Sequence, residues 1–269
     1  LGQPREPAPD GEGFVVNLGH PHAINGHTAF FDALMALSSS YWNWFYWYPV
    51  NRGIFLADGR DKLLVARDGW NAGQMAIEQI GTDPDNAANH HGQVALRAHL
   101  ADDRYAIFLF TPRLRWRNAG DGAWDDETNW TLSLAPAAVH PVVIDRRVVV
   151  RGPAAPTRVA SLTLAGRARL DLDPAGPLTV AGDVSLGPGT TLSLPLTARA
   201  PLAVGGRAAL AGTLRLTLGD GVVPQPGDRY PLLTATTITG GFRRIEPPRP
   251  DLTITLERTA TGVDAVVGP

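Results

Sequence analysis

Apolar and polar residues alternate along much of the second half of the chain. Leu192, Leu194 and Leu196 lie two positions apart, and residues 214–218 repeat the spacing with three further leucines. Because successive side chains of a strand point to opposite faces, this spacing puts Leu and Val on one face and Thr, Ser, Arg and Asp on the other. The pattern predicts many short strands, each with one buried face.

A nine-residue pattern occurs three times in this half, at residues 162–170, 178–186 and 202–210. Each copy has glycine at its centre, which marks a bend or a close approach of two backbones. Short stacked strands with apolar interiors suit a parallel β-solenoid, since one rung alone cannot bury its own face. The copies are unevenly spaced, so a β-sandwich stays open as the alternative fold.

The first half contains a second internal repeat. Residues 26–34 reappear as 92–100, and each copy is followed by a further apolar stretch, 53–59 in the first copy and 106–109 in the second. In the second copy the connection is the short acidic segment 101–104, which is typical of a hairpin turn. The repeat therefore predicts paired strands in both copies.

These residues resemble the tandem Asn-x-x-Gly-x-x-Ala-Phe repeats of bacterial surface proteins that carry varied C-terminal anchors. The second copy has Asn89, Gly92, Ala95 and Leu96 at the motif positions, whereas the first has Ala23, Gly26, Ala29 and Phe30. The resemblance covers residues 14–110. It implies β structure and an extracellular location, and it supplies no catalytic residue.

A second resemblance begins where the composition changes. The spacing Gly-x-Trp-Asp-x-x-x-Asn-Trp, formed by Gly122, Trp124, Asp125, Asn129 and Trp130, precedes an apolar segment at 142–144. It resembles the opening of autotransporter-associated β-strand segments. Composition divides the chain into an extended arm (1–13), a β-repeat domain with an aromatic loop (14–112), a β-solenoid-like domain (113–245) and a tail with a terminal strand (246–269).

Composition narrows the class of protein. The 269 residues are 44% hydrophobic and 19% charged, with 29 Gly and 23 Pro, which favours an all-β fold over helical bundles or disorder. Cysteine is absent, which excludes disulfides and thiolate chemistry. The net charge of −2 comes from interspersed acids and bases, so we expect no nucleic-acid partner.

No apolar run approaches the ~20 residues that span a bilayer. The chain starts with neither Met nor a leader sequence, so we expect a mature, trimmed protein at the cell surface or outside the cell.

The most unusual segment is an aromatic run between the two halves of the first repeat copy. Its candidate interface residues are Tyr41, Trp42, Trp44, Phe45, Tyr46, Trp47 and Tyr48. In a strand both faces would be aromatic, so burial within one chain would have to cover both. We interpret the run as a loop that contacts another subunit, a glycan or a surface, with an internal core as the alternative.

Candidate metal and catalytic residues are few. Histidines cluster in the first region with two nearby aspartates, but none has the helical i, i+4 spacing of known zinc motifs, so turn residues are expected. An acidic stretch could supply oxygen ligands to calcium, but it lacks EF-hand spacing, so we expect a solvated turn. The repeat alignment places Gly187 beneath Asp171, so no row of paired acids is expected on the solenoid. We predict no catalytic site, no metal and no cofactor. The residues weighed are His20, His22, His27, His90, His91, His99, Asp83, Asp85, Asp121, Asp125, Asp126, Glu127, Asp171 and Asp173.

The leading hypothesis is a secreted structural protein whose subunits form an extracellular filament, sheath or layer, with copies of the same chain as partners. The arm at 1–13 and the tail at 251–257 are expected to add strands to a neighbour's sheet. One alternative is a monomeric adhesin or glycan-binding module with a surface glycan as its partner. The other is a polysaccharide-acting enzyme on a β-solenoid.

Overall fold

The computed structural model describes residues 6–7, 14–18, 22–23, 28–36, 50–72, 75–81 and 87–269. The described chain is all-β, which confirms the predicted class. Its helical residues form the short 3-10 segments Glu127–Asn129 and Thr131–Ser133. The chain divides into a first unit, Leu1–Pro112 with Leu132–Leu134, and a second unit, Arg113–Thr131 with Ala135–Pro269.

The first unit is built from antiparallel sheets. Its strands are β1 (Glu6–Pro7), β2 (Phe14–Leu18), β3 (His22–Ala23), β4 (Ala29–Ala36), β5 (Val50–Ala57), β6 (Lys62–Arg67), β7 (Asn71–Ala72), β8 (Met75–Ile80), β9 (Ala87–Ala88), β10 (Val94–Leu100) and β11 (Tyr105–Phe110). One sheet has the order β1-β2-β4-β5-β6, with β3 also paired to β4. The other has the order β11-β10-β8-β7, with β9 also paired to β10.

The internal repeat of this unit is a pair of hairpins. Strands β4 and β5 pair antiparallel from Ala29 opposite Ala57, and β10 and β11 pair in the same way from Val94 opposite Phe110. The apolar positions of β5 and β10 form much of the core. Alternate side chains of β10 point to its buried face, whereas β5 is buried on both faces from Gly53 to Ala57. The strands expected from the repeat are therefore present in both copies.

The segment Leu132–Leu134 completes the first unit. The Thr28 hydroxyl donates a hydrogen bond to the carbonyl of Leu132. The amide of Leu132 donates to Asp61 Oδ2 at 3.2 Å, and the Ser133 hydroxyl donates to Asp58 Oδ2 at 2.7 Å. Both aspartates therefore serve as acceptors that fix this segment.

The second unit is built mainly from parallel strands. They are β12 (Leu114–Arg115), β13 (Gly122–Ala123), β14 (Pro141–Ile144), β15 (Val149–Arg151), β16 (Thr157–Val159), β17 (Ser161–Leu164), β18 (Arg169–Asp171), β19 (Leu178–Val180), β20 (Val184–Leu186), β21 (Thr191–Leu196), β22 (Leu202–Leu210), β23 (Thr213–Leu218), β24 (Arg229–Gly240), β25 (Arg244–Glu246), β26 (Ile254–Arg258) and β27 (Gly262–Val267).

These strands form two sheets, and the chain passes repeatedly from one to the other. The first has the order β12-β14-β17-β20-β22-β24-β27-β26, with β19 also on β22 and β16 on β19, and the second has the order β13-β15-β18-β21-β23-β25. Pairing is parallel up to β24, and β24-β27-β26 is antiparallel. In the second sheet Val150, Leu170, Leu192, Leu214 and Ile245 share one row, of which the first four are buried.

The predicted stacking of the three nine-residue copies is correct in part. The second and third copies stack in the expected register, with Leu178 beside Leu202, but Leu162 of the first copy pairs with Val184. Gly166 has a φ of +62° and turns the first copy into the second sheet, whereas Gly182 has no positive φ and both strands of the second copy stay in the first sheet.

The described parts of the predicted arm and tail pair within their own chain. Glu6 in β1 lies opposite Val15 in β2. In the tail, β26 pairs antiparallel with β27, and β27 pairs with β24. Each predicted donor strand therefore already pairs along one of its edges with a strand of its own chain.

Three tryptophans close the end of the second unit where its sheets begin. The rings of Trp116 and Trp124 each meet that of Trp130 nearly edge-on, with centroids 5.1 and 5.0 Å apart. The Trp130 indole donates a hydrogen bond to the Trp124 carbonyl at 2.7 Å. The buried side chain of Asn129 donates a hydrogen bond to the carbonyl of Ala123 at 2.9 Å. The Gly-x-Trp-Asp-x-x-x-Asn-Trp spacing thus builds a buried plug beside β12 and β13.

Candidate functional site

The predicted aromatic interface, Tyr41 to Tyr48, lies outside the described residues, as do His20, His27, Asp83 and Asp85. The proposed role of this segment stays a prediction. A different candidate site emerges in the described part of the first unit, at the end strand β11.

Strand β11 exposes one complete face. Tyr105, Ile107 and Leu109 are 65%, 81% and 65% exposed, while Ala106, Phe108 and Phe110 on the opposite face are half-buried. Large apolar side chains exposed in a contiguous row are uncommon on monomeric proteins and usually mark an interaction surface. The alternation of β11 therefore creates an apolar strip about one strand long.

The free edge of β11 also presents backbone groups. Leu100 donates its amide hydrogen to the carbonyl of Arg104 at 2.8 Å, so Leu100 and Arg104 form a hydrogen-bonded pair. Bonded and non-bonded pairs alternate along an antiparallel ladder. In this register the even-numbered residues of β11 bond to β10, and the amides and carbonyls of Tyr105, Ile107 and Leu109 point away from the sheet. No described strand pairs with this outer edge.

The equivalent strand of the first repeat copy is covered. There β5 pairs on its second side with β6, antiparallel, and residues 53–57 are fully buried. In the second copy β11 ends at Phe110, Pro112 follows, and proline has no amide hydrogen with which to extend a ladder. In the first repeat copy, β6 pairs with the outer edge of β5. In the second copy, no strand of the described residues pairs with the outer edge of β11.

An apolar groove runs along the half-buried face of β11. Its volume is about 260 Å³. Val65, Ala66 and Trp70 line one wall and Ile77, Leu96, Phe108, Leu109 and Phe110 line the rest. A strand added to β11 would bring its own side chains to this groove.

The exposed face is ordered by a cluster beside Tyr105. The Arg97 guanidinium lies 4.5 Å from the centre of the Tyr105 ring, and the His99 ring lies 4.9 Å from it. His99 contacts Glu78 at 3.1 Å and Asp103 at 3.0 Å. These contacts hold the tyrosine ring against β10 and so fix one end of the strip.

The other strands that end the described sheets are protected. Natural sheets avoid edge-to-edge pairing with very short end strands or with charged side chains. Strands β1, β7, β12 and β13 have two residues each, and β6, β25 and β26 carry Lys62 and Arg67, Arg244 and Glu246, and Glu257 and Arg258. Strand β11 has six residues and no charge between Tyr105 and Phe110.

Besides Arg97 on β10, charged side chains lie in the turn that precedes β11. Arg104 pairs with Asp102 at 2.5 Å. The hydrogen bond from Arg104 holds the pKa of the Asp102 carboxyl below its usual value and raises the pKa of the guanidinium. Asp102 and Arg104 therefore compensate each other within the turn, and β11 itself has no charged residue.

The acidic stretch of the second unit has structural partners. Asp121 accepts a hydrogen bond from the amide of Val149 at 2.6 Å, and Asp125 accepts one from the amide of Ala154 at 2.8 Å. Asp126 caps the short helix Glu127–Asn129 through the amide of Thr128. These carboxylates fasten the first turns of the second unit.

The remaining candidates lie apart. His90 and His91 occupy a turn before β10 with ring centres 3.8 Å apart, and burial together with His90 lowers the pKa of His91. Asp171 lies between Arg151 and Ser193, so the expectation of Gly187 beneath it is wrong. Within the described ranges, no three His, Asp or Glu side chains are grouped closely enough to hold a metal ion.

The comparisons with known proteins add no family. No protein-family model, no curated protein and no solved structure matches this chain. No helix in the described ranges is long and apolar enough to cross a membrane.

Proposed function

We propose that this chain is a structural protein of a bacterial cell surface whose copies associate with one another outside the cell, and that it is not an enzyme. The observation that carries the proposal is β11, a six-residue apolar strand with an exposed face and an outer edge with which no strand of the described residues pairs. A protein that worked alone would leave this edge open to unwanted pairing, whereas an assembling protein uses it.

The second unit is proposed to be a parallel β-solenoid that serves as a rigid scaffold. In support, the chain alternates between two parallel sheets, and apolar rows such as Leu170, Leu192 and Leu214 run across successive strands. A stack of this kind buries a continuous core of aliphatic side chains and needs neither cysteine nor a bound ion.

The polar side chains of this unit support a scaffold role. Arg169 pairs with Asp171 at 2.6 Å on the same strand, and Arg215 pairs with Glu246 at 2.7 Å across neighbouring strands. Asp183 accepts the amide of Arg207 at 2.7 Å. These groups neutralise or fasten one another along the stack, which is the arrangement of a framework.

A second candidate function is glycan binding by a monomer. Trp70 favours it, because this ring is 40% exposed at the rim of the groove beside β11 and aromatic rings can stack on sugars. The groove is otherwise lined by aliphatic and phenylalanine side chains, which offer no polar partner to sugar hydroxyls. Self-association accounts for more of this surface.

The test is the size of the full chain in solution. Sedimentation velocity across a wide concentration range should show species larger than a monomer that increase with concentration, and negative-stain electron microscopy should show ordered assemblies. A single monomeric species at every concentration would refute the proposal. Retention of that monomer on immobilised bacterial polysaccharide would then support the glycan-binding alternative.

A further inference from the structure

We infer that two copies of this chain pair through β11, antiparallel, about a two-fold axis that passes beside Ile107. This inference rests on the proposed self-association and names the surface and register that join the first two copies. The occupant of the open edge is thus a second β11.

The backbone of β11 is complementary to itself. The outward-pointing amides and carbonyls belong to Tyr105, Ile107 and Leu109, which are spaced evenly about Ile107. Two such strands that run in opposite directions place Ile107 opposite Ile107 and Tyr105 opposite Leu109. Every outward group of these residues then has a partner, because all of these pairs are of the hydrogen-bonded kind.

The side chains match in the same register. On the exposed face, the aliphatic residues Ile107 and Leu109 meet Ile107 and Tyr105 of the second copy, and cross-strand pairs of aromatic and β-branched or aliphatic residues stabilise sheets. On the groove face, each Phe108 lies opposite the small side chain of Ala106. No charged residue of β11 faces another, because the strand has none.

The first repeat copy shows that a third strand fits at this place. Strand β6 pairs antiparallel with β5, and its Leu64, Val65 and Ala66 are buried there. Strand β11 of a second copy has the same apolar character over Ala106 to Leu109 and would take the place on β11 that β6 takes on β5.

The area of this contact predicts its strength. One strand pair with three exposed side chains on each copy buries less than the ~1,200 Å² at the low end of stable interfaces. The β11 pair should therefore dissociate on dilution. A two-fold contact also closes on itself, so the dimer is the repeating unit and a second surface must join dimers into a larger assembly.

Single cysteines test the register, because the natural chain has none. Ile107→Cys should form a cross-linked dimer on mild oxidation or with a short bis-maleimide. Tyr105→Cys and Leu109→Cys should each cross-link poorly alone and efficiently when mixed. Val223→Cys, at an exposed position on the second unit, is the matched control and should cross-link at the background rate.

A charge at the axis gives a second measurement. Ile107→Lys places two like charges opposite each other and should raise the dissociation constant of the dimer by about tenfold or more. Ile107→Val should leave it nearly unchanged, and Leu218→Lys, which changes an apolar side chain elsewhere, should have no effect. Circular dichroism of each variant confirms that the fold is kept.

The outcomes separate this inference from the proposed function. Assembly that persists in Ile107→Lys, together with background cross-linking of Ile107→Cys, would overturn the β11 pair and leave self-association standing. A chain that is monomeric at all concentrations would overturn both. A monomer whose Ile107→Cys thiol resists maleimide would overturn the pair by showing that another segment of the same chain covers this edge.

Discussion

Truncation of one leucine in the second unit should be unusually costly. Leu192 is 1% exposed and lies in register between Leu170 and Leu214. Leu192→Ala removes three carbon atoms, worth about 2.4 kcal/mol of transfer free energy at ~0.8 kcal/mol per methylene. The strands on either side are held by ladders of hydrogen bonds and cannot collapse into the space, so a cavity term brings the loss to about 4 kcal/mol.

The control is Leu218→Ala, which makes the same chemical change at a side chain that is 38% exposed at the end of β23. This variant opens no closed cavity and should lose about 1 kcal/mol. Urea unfolding with pulsed hydrogen exchange and mass spectrometry of peptides from residues 191–196 reports on the second unit alone. With an m-value of about 2 kcal/mol/M, the midpoints should fall by about 2 M and about 0.5 M. Equal shifts for the two variants would refute the rigid stacking on which the estimate depends.

Two further predictions concern backbone packing and pH. A Cβ on Gly176 would lie 1.7 Å from the carbonyl oxygen of Pro153, so Gly176→Ala should lower the free energy of unfolding of the second unit by about 3 kcal/mol or more. The control is Gly241→Ala, because there is open space around its Cβ. In the same urea assay this variant should change the free energy of unfolding by no more than about 0.5 kcal/mol. The lowered pKa of His91 means that the folded chain binds this proton less readily than the unfolded chain. The contribution of neutral His91 to the free energy of unfolding is fully present above the ordinary pKa of 6.5 and is lost as the pH falls through the lower pKa of the folded chain. His91→Asn should therefore lose less stability than the natural chain between about pH 7.5 and 5. Equal losses for the two proteins would contradict this reasoning.

The strands were predictable because their signal is local. Period-2 alternation located the leucines of β21 and β23, and the 26–34 and 92–100 repeat located the hairpins β4–β5 and β10–β11. The register of the first nine-residue copy was not predictable, because alternation gives the face of a side chain but not the sheet to which its strand belongs. That choice depends on the positive φ of Gly166, which its sequence neighbours do not reveal.

The candidate site was only half visible in the sequence. The apolar run from Tyr105 to Phe110 predicts a strand. A short apolar run does not show whether its strand lies in the middle of a sheet or at its edge. Its exposure depends on the topology, because β12, the strand that follows Pro112, pairs with β14 and not with β11. The acidic stretch around Asp125 was expected to be a solvated turn, and the sequence does not reveal that the Asp125 carboxylate accepts a backbone amide 29 residues away.

The parallel ladders of the second unit have a mechanical consequence. Each strand is bonded only to the strands one turn before and one turn after it, so a pull along the stack loads these ladders in series. We expect extension under force to proceed turn by turn in small steps, starting from the end that yields first. We expect the tryptophan plug at one end and the antiparallel β24-β27-β26 pairing at the other to raise the force of that first step. Under the proposed structural role, such an element would lengthen under shear and shorten again when the flow stops.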